Sequence, residues 1–317
     1  MKVLVTGADG FAGSWLVKRL LRDGHAVTGT VRGVDDQRGA RFTDAERGAV
    51  CWVSLELTDG ESVRAATQPA YDAVVHLAAI ASTAEANRDP GTAWSVNAAG
   101  TARLCHALGE ARRAGRSDPL VLLVSTSEVY GRGDERPRRE TDVPAPVSPY
   151  AASKLGAETA GLETWRRSGL RVVVARPFAH TGPGQPTSFV VPAFAERLRI
   201  ASRIGAPVVK VGNLEPVREF LHVKDVVDAY ARLLASGQPG ETYNIATGRG
   251  IALEQLLSML GDLMGVRPIA EADPELMRPT DIPYLVGDAA KLRLATGWKP
   301  RMSLEDTLKD VVDAQAD

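Results

Sequence analysis

Short apolar runs alternate with longer amphipathic segments through the first part of the chain. The apolar runs predict β-strands at Lys2–Thr6, Ala26–Val31, Val50–Ser54, Ala73–Leu77, Leu120–Ser125 and Arg171–Arg176. Between them, apolar positions recur every three or four residues and predict helices at Phe11–Asp23, Glu61–Thr67, Gly91–Arg113 and Tyr150–Arg167. Several of the strands are almost wholly apolar, as in a sheet that helices cover on both faces. The pattern therefore predicts an α/β fold with a doubly wound parallel sheet, the Rossmann arrangement.

The pattern of apolar and polar residues changes after Pro177. A turn-rich stretch leads into a predicted helix at Val190–Ile204, and the chain from Ile251 onward is predicted to be helical and punctuated by prolines. A helix at Val223–Leu234 and a short strand at Tyr243–Ile245 are expected to rejoin the first domain. We therefore expect a Rossmann domain over 1–176, to which 218–246 returns, and a smaller, mainly helical lobe over 177–317.

Composition narrows the function classes. The 317 residues carry 38 Lys and Arg against 39 Asp and Glu, a formal net charge of -1, so no overall field favours nucleic acid or an anionic membrane. Cys51 and Cys105 have no metal-ligand spacing and make no disulfide framework, which favours a reducing compartment. The longest apolar stretch is about half the roughly 18 residues of a membrane span. These features predict a cytoplasmic protein without a metal site, a nucleic-acid partner or a membrane partner.

A glycine-rich turn joins the first strand to the first helix. Gly7, Gly10 and Gly13 follow the strand directly, and Phe11 begins the helix. Glycines at such a turn allow the backbone to approach a pyrophosphate, which the helix N-terminus then faces. The spacing differs from the standard fingerprint, but its place between strand and helix predicts dinucleotide binding.

The end of the second strand indicates which dinucleotide is bound. NAD-binding domains place a carboxylate there for the ribose hydroxyls. Here the strand runs into Arg32 and no carboxylate follows before Asp35. A guanidinium suits a 2′-phosphate, so NADP is favoured over NAD.

A tyrosine and a lysine four residues apart supply candidate acid–base chemistry. Tyr150 and Lys154 lie on one face of a predicted helix. A nearby ammonium favours the phenolate, so we expect Lys154 to lower the pKa of Tyr150 from its usual value near 10. The strand Leu120–Ser125 runs into Thr126, Ser127 and Glu128, at the sheet edge where such folds bind ligands.

These motifs occur in the order typical of a known family. The glycine turn, His76-Leu77-Ala78-Ala79, Asn97, the run from Ser125 to Gly131 and Tyr150-x-x-x-Lys154 resemble the extended short-chain dehydrogenase/reductases that act on nucleotide sugars. The resemblance covers essentially the whole chain. It implies homodimers formed through helices matching Gly91–Arg113 and Tyr150–Arg167.

The same resemblance assigns roles to individual residues. At the cofactor it places Leu77, Ala78, Ala79 and Ser125, with Glu56 and Leu57 beside the adenine. The residue matching Asn97 supports the lysine, and the hydroxyl matching Thr126 bonds the reacting sugar oxygen, with Ser127 nearby.

The second half resembles the GDP-4-keto-6-deoxymannose reductases most. The motifs that carry this are Arg176–Gln185, Val211–Phe220 and Arg278–Pro283. The resemblance implies diphosphate and ribose contacts at Arg218 and Arg278, and leaves His180 and Arg197 as weaker substrate candidates. Ala179 departs from the pattern, because the family commonly has asparagine there.

The predicted reaction is reduction of a 4-keto group on a GDP-6-deoxyhexose, with Tyr150 as proton donor. A 4,6-dehydratase is the alternative, because Thr126-Ser127-Glu128 resembles the run in which a glutamate removes a proton in GDP-mannose dehydratases. A 4-epimerase and a non-catalytic NADP-binding protein also stay open.

Overall fold

The computed structural model describes residues 1–33, 41–277 and 282–315. Its strands are β1 Lys2–Thr6, β2 Ala26–Val31, β3 Val50–Ser54, β4 Ala73–His76, β5 Leu120–Val124, β6 Arg171–Pro177, β7 His180–Thr181, β8 Val208–Val211, β9 Val217–Arg218, β10 Leu221–His222, β11 Thr242–Ile245, β12 Ile251–Ala252, β13 Ile269–Ala272 and β14 Tyr284–Leu285. Its α-helices are α1 Phe11–Arg22, α2 Asp44–Gly48, α3 Gly60–Thr67, α4 Thr83–Arg88, α5 Pro90–Trp94, α6 Gly100–Arg113, α7 Pro149–Ser168, α8 Val190–Ile204, α9 Val223–Ser236, α10 Leu253–Met264, α11 Ala290–Thr296 and α12 Leu304–Ala314.

Seven of these strands form one parallel sheet in the order β11-β6-β5-β4-β1-β2-β3. Every residue of β5 is buried, because one face of the sheet packs on α6 and α7 and the other on α1 and α9. The predicted fold class is confirmed: the chain is a doubly wound α/β protein.

The long predicted helix Gly91–Arg113 is interrupted. The structure has α5, then a π-helical turn at Ser95–Ala99, then α6. The π turn shifts the hydrogen-bond register by one residue, which apolar periodicity does not report. Two short helices were also missed, α2 and α4, each begun by a side-chain cap from Thr43 or Ser82 rather than by an apolar stripe.

A smaller lobe packs α8, α10 and α12 around its own apolar cluster. The prediction that everything after Ile251 is helical is wrong, because β12, β13 and β14 lie there. All four residues of β13 are exposed, so the strand has no buried alternation that a sequence pattern could reveal.

The chain crosses between the two parts more than once. β11 pairs with β6 in the main sheet, and α9 packs against α1. Trp298, near the end of the chain, is fully buried in the main core and donates its indole N–H to the Asp225 carbonyl at 3.0 Å. A division of the chain near residue 176 stays a prediction.

Candidate active site

A cavity of about 600 Å³ opens at the carboxyl ends of β1, β4 and β5, between the main sheet and the smaller lobe. Most of the residues that the sequence singled out meet there. Those that line it are Gly7, Gly10, Phe11, Gly13, Arg32, Glu56, Leu57, Leu77, Ala78, Ala79, Ser125, Thr126, Ser127, Glu128, Tyr150, Lys154, His180 and Arg218.

The glycine turn has no room for side chains. Gly7 has a φ of +67°, and a Cβ on it would lie 2.9 Å from the Ala78 nitrogen. A Cβ on Gly13 would lie 2.0 Å from the Gly7 carbonyl oxygen. Gly10 caps α1 without a side-chain hydrogen bond, and no acidic residue lies in the first turn of that helix. Exposed backbone and an uncapped helix N-terminus fit the diphosphate of a dinucleotide.

An ion pair lies at the far end of this wall. The Arg32 guanidinium is 3.4 Å from a Glu56 carboxylate oxygen, and the Arg32 side chain is 82% exposed. Hydrogen bonds from Thr58, and then the charge of Arg32, lower the pKa of Glu56. Asp35 lies outside the described residues.

Thr6 positions the segment after β4. Its hydroxyl accepts from the backbone N–H groups of Leu77 and Ala78, each at 3.1 Å, and contacts His76 Nδ1 at 2.8 Å. Because Thr6 ends β1, this network holds Leu77–Ala79 against the glycine turn. Burial lowers the pKa of His76 to about 3, so the ring is neutral.

Asn97 is buried in the π-helical turn and does not line the cavity. Its side chain accepts from the Ile80 N–H at 2.8 Å and donates to the Ile80 carbonyl and the Ser153 hydroxyl. Ile80 lines the cavity, and Ser153 precedes Lys154 on α7. Asn97 therefore ties the cavity wall to α7, and a role at the lysine stays a prediction.

The acid–base candidates come from two neighbouring elements. Thr126 follows β5 and caps a 3₁₀ turn by accepting from the Glu128 N–H at 3.2 Å. Tyr150 lies in the first turn of α7, which Ser148 caps and Pro149 begins. Lys154, one turn later, is buried and donates its Nζ to the Val124 carbonyl. All three side chains thus meet at the end of β5.

The net shift in the pKa of Tyr150 is opposite to the expected one in this geometry. Burial and the charge of Glu128 raise the pKa of Tyr150 above its usual value, although a hydrogen bond with Thr126 opposes them. Burial also lowers the pKa of Lys154 to about 8, against the charge of Glu158. For Tyr150, desolvation of the phenolate is the largest contribution and so determines that its pKa rises. At neutral pH, Tyr150 keeps its proton and Lys154 is still mostly charged.

One polar atom beside these groups needs a partner. The Ser125 hydroxyl is buried at the cavity wall with no hydrogen bond among the described residues. A bound ligand satisfies such a group. Together with the close glycine turn, this shows that the described residues fit a dinucleotide.

Only some of the residues predicted to bind the substrate line the cavity. His180 stacks on Phe11 with ring centroids 6.2 Å apart and is buried enough to lower its pKa. Arg218 lines the cavity from β9. Arg197 does not, since its guanidinium donates to the Lys210 carbonyl at 3.1 Å, away from the site. Arg278 lies outside the described residues.

Sequence reasoning missed other parts of the wall, among them Ser82, Gln185, Phe220, Tyr230 and Ile282. Gln185 donates to the His180 carbonyl at 2.9 Å, and the Trp15 indole donates to the Pro183 carbonyl at 3.2 Å. Both residues of the first contact lie in the motif Arg176–Gln185. Nothing in the sequence distinguishes Tyr230 from a core residue of an amphipathic helix.

Within the described residues, no helix has the length and apolarity to cross a membrane. In the same part of the chain, no cluster of three or more His, Cys, Asp or Glu side chains is arranged to hold a metal ion.

The model of the family described as GDP-mannose 4,6 dehydratase matches residues 4–311. The chain belongs to this family. It is thus an NAD(P)-dependent nucleotide-sugar enzyme of the extended short-chain dehydrogenase/reductases, and the resemblance found in the sequence is confirmed.

Proteins with different activities are similar to the chain. A GDP-6-deoxy-D-mannose reductase from Pseudomonas aeruginosa is 37% identical over 244 residues, which cover 76% of this chain and 79% of that protein. The structure of RMD from the same organism, complexed with NADPH, has a TM-score of 0.81 at 32% identity and covers 99% of this chain and 98% of its own. A Thermus thermophilus UDP-glucose 4-epimerase in complex with NAD has a TM-score of 0.85 at 31% identity, with the same two coverages.

Proposed function

We propose that the protein uses NADPH to reduce the 4-keto group of a GDP-4-keto-6-deoxyhexose, giving a GDP-6-deoxyhexose of the GDP-rhamnose type. One observation carries the proposal: Thr126, Tyr150 and Lys154 share a cavity wall with the glycine turn. The similarity to the GDP-6-deoxy-D-mannose reductase supports the substrate class.

Each of the three side chains has a distinct task. Tyr150, kept neutral by burial, donates its proton to the oxygen on carbon 4 as negative charge develops there. Thr126 holds that oxygen, and the Lys154 ammonium stabilises the phenolate left behind. Bound NADPH supplies the hydride. Positioned acid catalysis contributes typically about 10²–10⁴-fold.

A 4,6-dehydratase is the second candidate, because Glu128 lines the same cavity and its charge acts on Tyr150. In that reaction carbon 4 would first lose a hydride to the bound cofactor while its hydroxyl loses a proton to Tyr150. The Glu128 carboxylate would then remove the proton at carbon 5 as water leaves from carbon 6. The same hydride would be added back at carbon 6, so no net oxidation of the cofactor would follow.

NADP is the proposed cofactor, with Arg32 as the contact for the 2′-phosphate. Its support is the exposed guanidinium at the end of β2 and the NADPH complex of the P. aeruginosa neighbour. NAD is the alternative cofactor, since the Arg32–Glu56 pair also offers a carboxylate at this end of the cavity. Comparing kcat/KM for NADPH and NADH tests the assignment.

Recognition of the GDP part is proposed for Arg218 and Arg278, with His180 and Ser127 near the sugar. Arg218 is supported by its place in the cavity wall. Guanidinium groups bind diphosphates through paired, charge-assisted hydrogen bonds. Ala179 also lines the cavity, so the polar contact of an asparagine is missing there.

A homodimer through α5, α6 and α7 is proposed from the family resemblance. Trp94 of α5 is 45% exposed and packs beside Gly156 of α7, so a large apolar side chain faces outward on this surface. Light scattering of the purified chain tests it. A cytoplasmic location stays a prediction from composition.

The deciding experiment incubates the protein with NADPH and GDP-4-keto-6-deoxymannose while following absorbance at the NADPH band. Stoichiometric NADPH oxidation and a GDP-6-deoxyhexose product are expected. Turnover of GDP-mannose without net oxidation would instead indicate the dehydratase. Tight NADPH binding with no turnover of any nucleotide sugar would indicate a non-catalytic protein.

A further inference from the structure

The cavity wall contains three buried hydroxyl groups that have no hydrogen-bond partner among the described residues. They belong to Ser125, Thr181 and Tyr230. Buried polar atoms in folded proteins are almost always paired, because an unpaired one loses its bonds to water and gains nothing. Three such groups around one cavity indicate polar ligand atoms there, and the family resemblance assigned a role only to Ser125.

Tyr230 is unusual among the tyrosines of the chain. Besides Tyr150, four tyrosines are buried, and three of these four have partners: Tyr71 donates to the Ala66 carbonyl, Tyr130 donates to Asn244 Oδ1 at 2.7 Å, and Tyr243 accepts from the Gln238 N–H. The fold thus satisfies a buried phenol wherever the phenol is purely structural. Tyr230, wholly buried, is the exception within the described residues.

The position of Tyr230 places it in the dinucleotide half of the cavity. It lies on α9, which packs along α1, the helix that follows the glycine turn. Its ring belongs to the same apolar core as Val124 and Phe178. Tyr230 itself lines the cavity, together with Val124 and Phe178.

Tyr230 is also close enough to Tyr150 for their charges to interact. Burial, and then the charge of Tyr150, raises the pKa of Tyr230. Tyr230 therefore remains a neutral hydroxyl, able to donate and to accept, while Tyr150 exchanges its proton. A group bound beside both lies at the reacting end of the dinucleotide.

We propose that the Tyr230 hydroxyl binds the carboxamide of the nicotinamide ring and so fixes the ring beside Tyr150. This inference rests on the proposed use of a nicotinamide cofactor. The carboxamide is the hydrogen-bonding substituent of that ring, and its carbonyl and NH₂ complement a neutral hydroxyl. A sugar hydroxyl is the competing partner, but the arginine proposed to bind the GDP part, Arg218, lines the cavity from β9, whereas Tyr230 lines it from α9.

The test compares two ligands on the Tyr230→Phe variant, which loses one oxygen atom. NADPH carries the carboxamide, and 2′-phospho-ADP-ribose lacks the whole nicotinamide ring. We expect calorimetric titration to show NADPH binding about 5- to 20-fold weaker, as for one lost hydrogen bond, and 2′-phospho-ADP-ribose binding unchanged. The melting temperature without ligand is expected to stay the same or rise, because an unpaired buried oxygen has been removed.

Tyr130→Phe is the matched control. It removes a buried phenol oxygen that has a partner, on a residue outside the cavity wall. We expect its melting temperature to fall and its affinity for both ligands to match the wild type. The two variants thus separate a structural hydroxyl from a binding one.

Several outcomes would overturn the inference. One is unchanged NADPH affinity in Tyr230→Phe, and another is an equal loss for both ligands. A third is weaker binding of GDP-mannose with NADPH unaffected, which would assign the hydroxyl to the sugar. Selective loss of NADPH affinity in a protein that turns over no nucleotide sugar would support the inference while refuting the proposed reaction.

Discussion

The two walls of the cavity are built differently. The dinucleotide wall, made of the glycine turn and the ends of β4 and β5, is shaped mainly by the backbone. The glycine turn has no space for a Cβ, and the ends of β4 and β5 are held by the register of a seven-stranded sheet. The substrate wall depends on two-residue strands and loops, with side chains such as Arg218 and Gln185 reaching inward. In the proposed function, the first wall binds the dinucleotide and the second distinguishes the sugar. Similar proteins with reductase and epimerase names share the fold of this chain.

The largest effect is expected from the reacting group shared by both walls. Tyr150→Phe removes the proton donor and should lower kcat by about 10²–10⁴-fold. NADPH affinity, measured by fluorescence titration, should change little, because the glycine turn is untouched. Turnover within twofold of the wild type would remove Tyr150 from the mechanism.

Next in size is a substitution that breaks the dinucleotide wall alone. In Gly13→Ala, the new methyl would lie 2.0 Å from the Gly7 carbonyl and displace the turn. NADPH binding should weaken by about 100-fold, since charged hydrogen bonds to a diphosphate are worth about 1.5–3 kcal/mol each. Gly48→Ala, on α2 with no atom within 4 Å of the added methyl, is the control and should bind NADPH normally. Equal affinity in both variants would contradict the backbone account.

A smaller effect is expected from the substrate wall. Arg218→Gln should raise the KM for the GDP sugar roughly tenfold, as for one lost charged hydrogen bond, and leave NADPH affinity unchanged. Arg197→Gln, whose guanidinium faces the Lys210 carbonyl outside the cavity, should leave both constants unchanged. A larger KM change in Arg197→Gln than in Arg218→Gln would reverse this assignment.

The smallest effect on activity near neutral pH is expected from the loss of the Lys154 proton. Its pKa, lowered by burial to about 8, means that the ammonium loses its proton as pH rises through that value. If the charged form assists Tyr150, kcat/KM should halve near pH 8 and then fall about tenfold per further pH unit, since this constant reports the free enzyme. A pH–rate profile of the wild type shows whether kcat/KM falls above pH 8 as expected. Activity that rises between pH 8 and 9 would exclude an acting ammonium.

Sequence patterns predicted the first half of the fold well. Strands β1, β2 and β3 have their predicted bounds, because each is a short run rich in apolar and β-branched residues that ends at turn residues. The π-helical turn around Asn97 and the exposed strand β13 were missed, since neither changes the spacing of apolar residues in a recognisable way. The pKa of Tyr150 was predicted with the wrong sign, because the spacing of Tyr150 and Lys154 reports their neighbourhood and not their burial.

The sequence by itself determined the sheet, the glycine turn, the acid–base pair and the family, because these depend on local spacing and on residue types that few other structures require. The tertiary structure decided which residues share the cavity. It brought Arg218 in, left Arg197 out and added Tyr230 from a helix that looked purely structural. Contacts between distant segments and the desolvation of buried groups depend on how the whole chain packs, and no local pattern contains them.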